Sequence, residues 1–275
     1  MDNIKVSTKT IIAVSNLNLD IQKIFTFFPI GIHENNITIQ TIYYGTERRG
    51  IVAEKKKKKK SFRNAVNLIA YISNHNTQKK INFKVSKNGK FQLTGCKSED
   101  NAIEIISYFI NKLYVCCKDA VLITKGNFIR VYFQTVMTNI DFSIGFFINR
   151  QKLDELMNKD TSYHSLLETS CGYTGVNIKF LLDTKWWEIE VPVIVCKNIE
   201  DSVLFWEKSF EPLNTVTNIS QEIKQKKKYN TFLVFHSGNI IMSGITKETM
   251  EKHYQIFVDL LHKWKPLIEE KIIEN

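Results

Sequence analysis

Six histidines (His33, His75, His164, His236, His253 and His262) and five cysteines (Cys96, Cys116, Cys117, Cys171 and Cys196) are the residues best suited to metal ligation or nucleophilic catalysis. Their spacing supports neither. There is no C-x-x-C pair and no Cys/His set at the separation a zinc site uses. No Ser/His/Asp or Cys/His arrangement stands out, and Gly172 and Gly175 do not extend into a phosphate-cradling G-x-G-x-x-G or P-loop pattern. An odd cysteine count argues against a disulfide framework and for a reducing compartment. The chemistry on offer belongs to the lysines. Of 38 basic residues only five are Arg, and the formal net charge is +10. Lysine supplies point charges for phosphates but reads bases poorly by bidentate contact in the major groove. The charge excess fits a polyanionic partner such as nucleic acid, and also fits simple solubility. The run Lys55 to Lys60 reads as a solvated loop rather than a phosphate-contacting or targeting segment. Trp186, Trp187 and Trp206 read as a local core rather than a ligand cage. No catalysis, metal or cofactor is expected.

The elements that would position these charges form a repeat. The chain has 275 residues, 43% hydrophobic and 24% charged, enough for one large domain or two smaller ones. Phe83 to Ser98 reads FKVSKNGKFQLTGCKS, and Phe232 to Lys247 reads FLVFHSGNIIMSGITK. Each is an alternating run, a polar turn ending in Gly89 or Gly238, a second run and a Thr-Gly or Ser-Gly stop, which is a β-hairpin pattern. An amphipathic helix follows each, over Glu99 to Leu113 and Glu248 to Trp264. Upstream, Ser7-Thr8 opens an apolar run to Leu19 and a helix from Asp20 to Phe28. Gln134-Thr135 opens another to Ile148 and a helix from Arg150 to Asn158. Further strands are predicted over Ile37 to Tyr44 and Val176 to Leu182. Each half thus reads strand, helix, strand, hairpin, helix. That order predicts an α+β fold, an antiparallel sheet with helices on one face. The first repeat is assigned to residues 1–117 with an insertion over about 46–80. The second is assigned to 118–275 with an insertion over about 183–230, at the same place in the repeat. No secretory segment or membrane-length apolar run is seen, so a soluble intracellular protein is expected.

Alternation sorts the hairpin side chains into two faces. In the second hairpin Phe232, Val234, Ile240 and Met242 suit packing under a helix. The opposite set, Leu233, Phe235, Ile241 and Ser243, is also largely apolar and needs a partner. In the first hairpin Phe83, Val85, Phe91 and Leu93 form the core set. Lys84, Ser86, Gln92 and Thr94 form a polar opposite face.

The pair GKFQLTGCKSED and HSGNIIMSGITKE resembles the doubled hairpin-plus-helix signature of TATA-box-binding proteins, whose pattern is F-x-S-G-K-x-x-x-T-G-A-K-S. The resemblance spans both halves apart from the insertions and the connector Lys118 to Asn127. Its divergence points to a large DNA virus or a similarly fast-evolving source. It implies a two-repeat saddle, a curved antiparallel sheet with helices on the convex face. The concave face would bind the minor groove, with aromatic wedges kinking the DNA. The second-half wedge falls on Phe235, and its companion on Tyr173, because YTGVNIKF resembles the family's F-P-G-L-I-Y-R-M. In the first half the wedge position is Ser86, and the companion falls near Asn36 or Ile37. The threonines near bases become Thr94 and Ser243. The apolar floor becomes Gln92 and Ile241, with Lys84 and Leu233. The family's central Asn pair falls on Thr8 and Thr135, and Thr10 and Met137 join the DNA-contacting set on the same strands. Lys90 and Lys179 take phosphate-contacting places.

The resemblance therefore implies an initiation factor that binds and bends AT-rich promoter DNA and recruits a bridging factor and RNA polymerase. It would act as a monomer or weak dimer, without membrane contact, in the nucleus or a viral replication compartment. The alternative is an interaction scaffold that kept the fold and lost specific DNA binding.

Overall fold

A computed structural model describes residues 5–51, 64–74, 77–167, 175–197 and 204–271. The chain forms two compact units. The first comprises Lys9–Thr135 and Glu188–Asn218, and the second comprises Met1–Thr8, Val136–Trp187 and Ile219–Asn275. These units cut the chain differently from a repeat boundary at 117/118: residues 118–135 and 188–218 group with the earlier unit and residues 1–8 with the later one.

In the first repeat the order is β1 (Val6–Ser15), β2 (Leu17–Leu19), α1 (Ile21–Phe27), β3 (His33–Glu34), β4 (Ile37–Tyr44), β5 (Glu47–Gly50), β6 (Ala65–Asn74), β7 (Thr77–Ser86), β8 (Lys90–Cys96) and α2 (Glu99–Cys116). Asp20 caps α1 by accepting from the backbone of Gln22 and Lys23, and Ser98 caps α2 by accepting from Asn101. The sheet of this unit runs β1-β8-β7-β6-β4, all antiparallel, with β3 and β5 on β4. Strand β6 is an addition to the expected order: the segment assigned to an insertion contains a full strand in register with β7 from Ala65↔Ser86 to Asn74↔Thr77. Both helices lie on one face. Phe109 of α2 meets Phe28, Phe83 and Phe91 at ring distances of 4.9, 5.6 and 6.1 Å.

The chain continues through β9 (Val121–Ile123), which pairs with β2, to the long β10 (Ile129–Ser143), α3 (Arg150–Asp160), β11 (His164–Leu167) and β12 (Gly175–Leu181). Next come β13 (Glu190–Cys196), β14 (Trp206–Pro212), α4 (Leu213–Val216), α5 (Gln221–Lys224), β15 (Tyr229–Phe235), β16 (Asn239–Gly244) and α6 (Lys247–Ile268). In the second unit the sheet runs β10-β16-β15-β12-β11, the same order as in the first. A capping box between Thr246 and Thr249 starts α6, and Phe257 stacks on Phe232 at 4.1 Å. The α+β class expected from the sequence holds: each unit is an antiparallel sheet with its helices on one face.

Equivalent hydrogen bonds tie the two hairpin turns to the chain leaving β1 and β10. Ser15 N donates to Gly89 O and Leu19 N to Lys87 O, while Ile144 N donates to Gly238 O and Ile148 N to His236 O. Both turn glycines have positive φ, and a Cβ would fall 2.4 Å from Leu17 O at Gly89 and 2.2 Å from Phe146 O at Gly238. This equivalence fixes the repeat register. It also separates the two insertions. The Lys55 to Lys60 run, outside the described residues, falls between the second and third sheet strands of its repeat. The other insertion falls between the third and fourth.

That second insertion belongs to the first unit. Strand β13 pairs with the early part of β10, Ile129↔Cys196 to Tyr132↔Val193, and β14 pairs with β13. Ile194, Cys196 and Leu204 are buried in the first core, and Trp206 Nε1 donates to Asn111 Oδ1 at 3.0 Å. The tryptophans therefore do not share one core. Trp186 and Trp187 meet each other in the second unit, with Lys228 Nζ 5.0 Å from the Trp186 ring.

Candidate nucleic-acid interface

In each unit the sheet face away from the helices is where the expected site residues gather. In the first unit the buried partners Ile11↔Leu93 and Ala13↔Phe91 alternate with Thr10↔Thr94, Ile12↔Gln92 and Val14↔Lys90. The same face continues across β7 and β6 as Thr94–Asn82–Ile69 and Gln92–Lys84–Asn67, with Ser86 opposite Ala65. Thr10, Lys84, Ser86, Lys90, Gln92 and Thr94 thus share one surface. Ile12, Val14 and Ile69 add apolar side chains that the hairpin pattern alone does not reveal.

In the second unit one row runs Asn139–Ser243–Thr231–Lys179–His164 and the next Asp141–Ile241–Leu233–Asn177–Leu166. Phe235 closes β15 opposite Gly175. A Cβ on Gly175 would lie 2.6 Å from Leu233 Cδ1, so glycine lets Leu233 lie flat beside Phe235. Phe235, Ile241 and Asp141 line an open hollow at the end of this face. Leu233, Phe235, Ile241, Ser243 and Lys179 therefore share one sheet face. Tyr173 lies outside the described residues.

The central pair needs correcting. By the repeat register Thr10 is equivalent to Asn139; Thr8 lies two residues before the first and Thr135 four before the second, so Thr8 and Thr135 are not a pair. Thr135 is on the helix side, 8% exposed, and its hydroxyl donates to Glu99 Oε1 at 2.6 Å. Lys9 Nζ reaches the same oxygen at 2.7 Å. Burial alone would raise the Glu99 carboxyl, but the bonds from Lys9 and Thr135 outweigh it and hold it below the ordinary carboxylate value. Thr135 is thus committed to an internal tie. Val136 and Met137 are both exposed, at 41% and 45%, which breaks the alternation of β10 between Thr135 and Asn139. Met137 is exposed at that break. Likewise, the first-half companion of Tyr173 is not near Asn36 or Ile37. Ile37 pairs with Ile72, at the far end of β6 from Ala65, the residue that lies opposite Ser86 as Gly175 lies opposite Phe235.

Asn139 is the site residue that hairpin alternation misses. Its Oδ1 accepts from Ser243 Oγ at 2.8 Å and its Nδ2 donates to Thr8 Oγ1 at 3.2 Å. Ser7 Oγ donates to the Asn139 carbonyl at 3.0 Å. These bonds fix the amide on the helix-free face beside Thr8 and Ser243. Among the described residues no group of three His, Cys, Asp or Glu side chains could hold a metal ion, and no helix is long and apolar enough to cross a membrane.

No protein-family model matches the chain. It is 28% identical over 193 residues, 68% of its length, to "Uncharacterized protein 335L" of Invertebrate iridescent virus 6, of which it covers 57%. It is 24% identical over 253 residues, 85% of its length, to a protein of Acanthamoeba polyphaga mimivirus described as "TATA-box-binding protein-like", of which it covers 60%. The chain spans about three fifths of the length of these relatives. In structure it is similar to Methanococcus jannaschii TBP, with a TM-score of 0.49 and 14% sequence identity over 94% of this chain and 98% of that one.

Proposed function

We propose that this chain, a divergent relative of a viral TATA-box-binding-protein-like protein, binds the minor groove of AT-rich promoter DNA through the helix-free sheet face, bends it and recruits initiation machinery. One observation carries the proposal: Leu233, Phe235 and Ile241 form an apolar group on a sheet face that no helix among the described residues covers. A sheet face of this kind needs a partner. An A·T minor groove suits it, because those base pairs present only acceptors at the floor and bring no exocyclic amine to be stranded against apolar side chains. In this reading Phe235 acts as a wedge, and the unstacking it causes is repaid where Leu233 and Ile241 bury surface in return. Lys90 and Lys179, both exposed on this face, supply phosphate contacts. The role is binding, not catalysis. It would be exercised in the nucleus or a viral replication compartment, by a monomer or weak dimer.

A second reading, an interaction scaffold without specific DNA binding, is favoured by the first unit's face. There Ser86 stands in place of Phe235, and Lys84 and Gln92 in place of Leu233 and Ile241. Mobility shifts with AT-rich and GC-rich duplexes at low salt separate the two readings. The DNA reading expects tighter binding to the AT-rich duplex. Binding to neither, or equal binding to both, would leave the scaffold.

A further inference from the structure

Asp141 sits on β10 between Ile140, fully buried, and Phe142, whose ring meets Tyr254 of α6 at 4.9 Å. Its neighbours face the helices, so its carboxylate lies on the opposite, helix-free face, paired with Ile241 and one position from Leu233. The side chain is exposed, and no hydrogen bond or ion pair among the described residues engages it. The equivalent place in the first unit holds Ile12, paired with Gln92.

A carboxylate only accepts hydrogen bonds, whereas the Gln92 amide both donates and accepts. In the minor groove, adenine N3 and thymine O2 are acceptors too, and the guanine N2 amine is the one donor on the floor. Phosphates are acceptors as well, and negatively charged. A duplex seated on the second unit's face therefore strands the Asp141 charge against an A·T pair and satisfies it against guanine.

We infer, resting on the proposed DNA binding, that Asp141 makes the second unit select a G·C pair at one position of an otherwise A·T site. The selection is confined to that unit, because the equivalent place in the first unit holds Ile12, which has no hydrogen-bonding side chain, and its partner Gln92 can match either pair.

Selection from a randomised duplex pool with the full chain tests this. The parent is expected to enrich one G·C position within an AT-rich sequence, and Asp141→Val to convert that position to A·T. Replacing the selected guanine by inosine removes only the N2 amine. It should weaken parent binding on the order of tenfold and leave Asp141→Val unaffected. Three results would overturn the inference while keeping the DNA reading. They are an all-A·T parent site, indifference of the parent to inosine, and tighter Asp141→Val binding to every duplex without a changed sequence. Failure of the parent and the variant alike to bind any duplex at low salt would overturn both.

Discussion

Phe235 and Ser86 occupy equivalent places at the ends of β15 and β7, opposite Gly175 and Ala65. One carries a ring able to part stacked bases, and the other does not. Phe235→Ala should lower both DNA affinity and bend angle, affinity by roughly tenfold or more, the scale of burying one phenyl ring. Ser86→Ala should change little. Fluorescence energy transfer across end-labelled duplexes measures the bend, and a Phe235→Ala protein that bends DNA like the parent removes the wedge. At this scale the hairpin residues were legible in the sequence. Alternation put Leu233, Phe235, Ile241 and Ser243 on one face and Lys84, Ser86, Gln92 and Thr94 on its counterpart. Asn139 and Asp141 were not legible. Counting from Thr135 along β10 crosses the paired exposures of Val136 and Met137, so a regular alternation arrives on the wrong side chains.

Strand β15 and helix α6 are joined by a buried polar link. Asn230 Nδ2 donates to Thr249 O and to His253 Nδ1, each at 2.9 Å. The second bond requires an unprotonated Nδ1, and burial pushes the His253 imidazole below its ordinary value, against the attraction of Asp183. The neutral ring is the one the fold favours. Its contribution to stability is therefore complete above the unfolded value of about 6.5 and is lost as pH falls below that through the folded value. Chemical unfolding at pH 7.5 and 5.5 should show the parent weaker at the lower pH, by at most about 1.4 kcal/mol per pH unit. His253→Leu should flatten the difference, and an unchanged slope in that variant would refute the link. Glu99, with its lowered carboxyl, keeps its contribution above the ordinary carboxylate value of about 4.3 and does not enter this window. Among elements, the hairpins and their following helices were legible because turn glycines and helix caps are local signals. Strand β6 was hidden by the lysine run before it, and β11 is too short to announce itself. The destination of β13 and β14 was not legible at all, since which core accepts Ile194 and Trp206 is decided by packing far away in sequence.

The molecule as a whole carries 38 basic against 28 acidic residues, mostly as lysine. Binding led by phosphate contacts should weaken with salt by about 0.9 log units per log unit for each phosphate neutralised. Replacing Lys55 to Lys60 by serine should weaken binding and shallow that slope while leaving the preferred sequence unchanged. Filter binding across a salt series measures the slope. A shifted site preference would mean that this segment reads bases. The interleaving of the two units bears on how the protein is made. The first unit's core draws Ile194, Cys196 and Leu204 from a segment that follows residues 136–187 of the other unit. On a ribosome adding roughly 5–20 residues per second, the early part of β10 and the flank of α2 wait several seconds for β13 and β14 to emerge. The first repeat therefore leaves the exit tunnel as an unfinished fold with apolar surface open. It is a natural client for chaperones, and its completion is tied to synthesis of the second half.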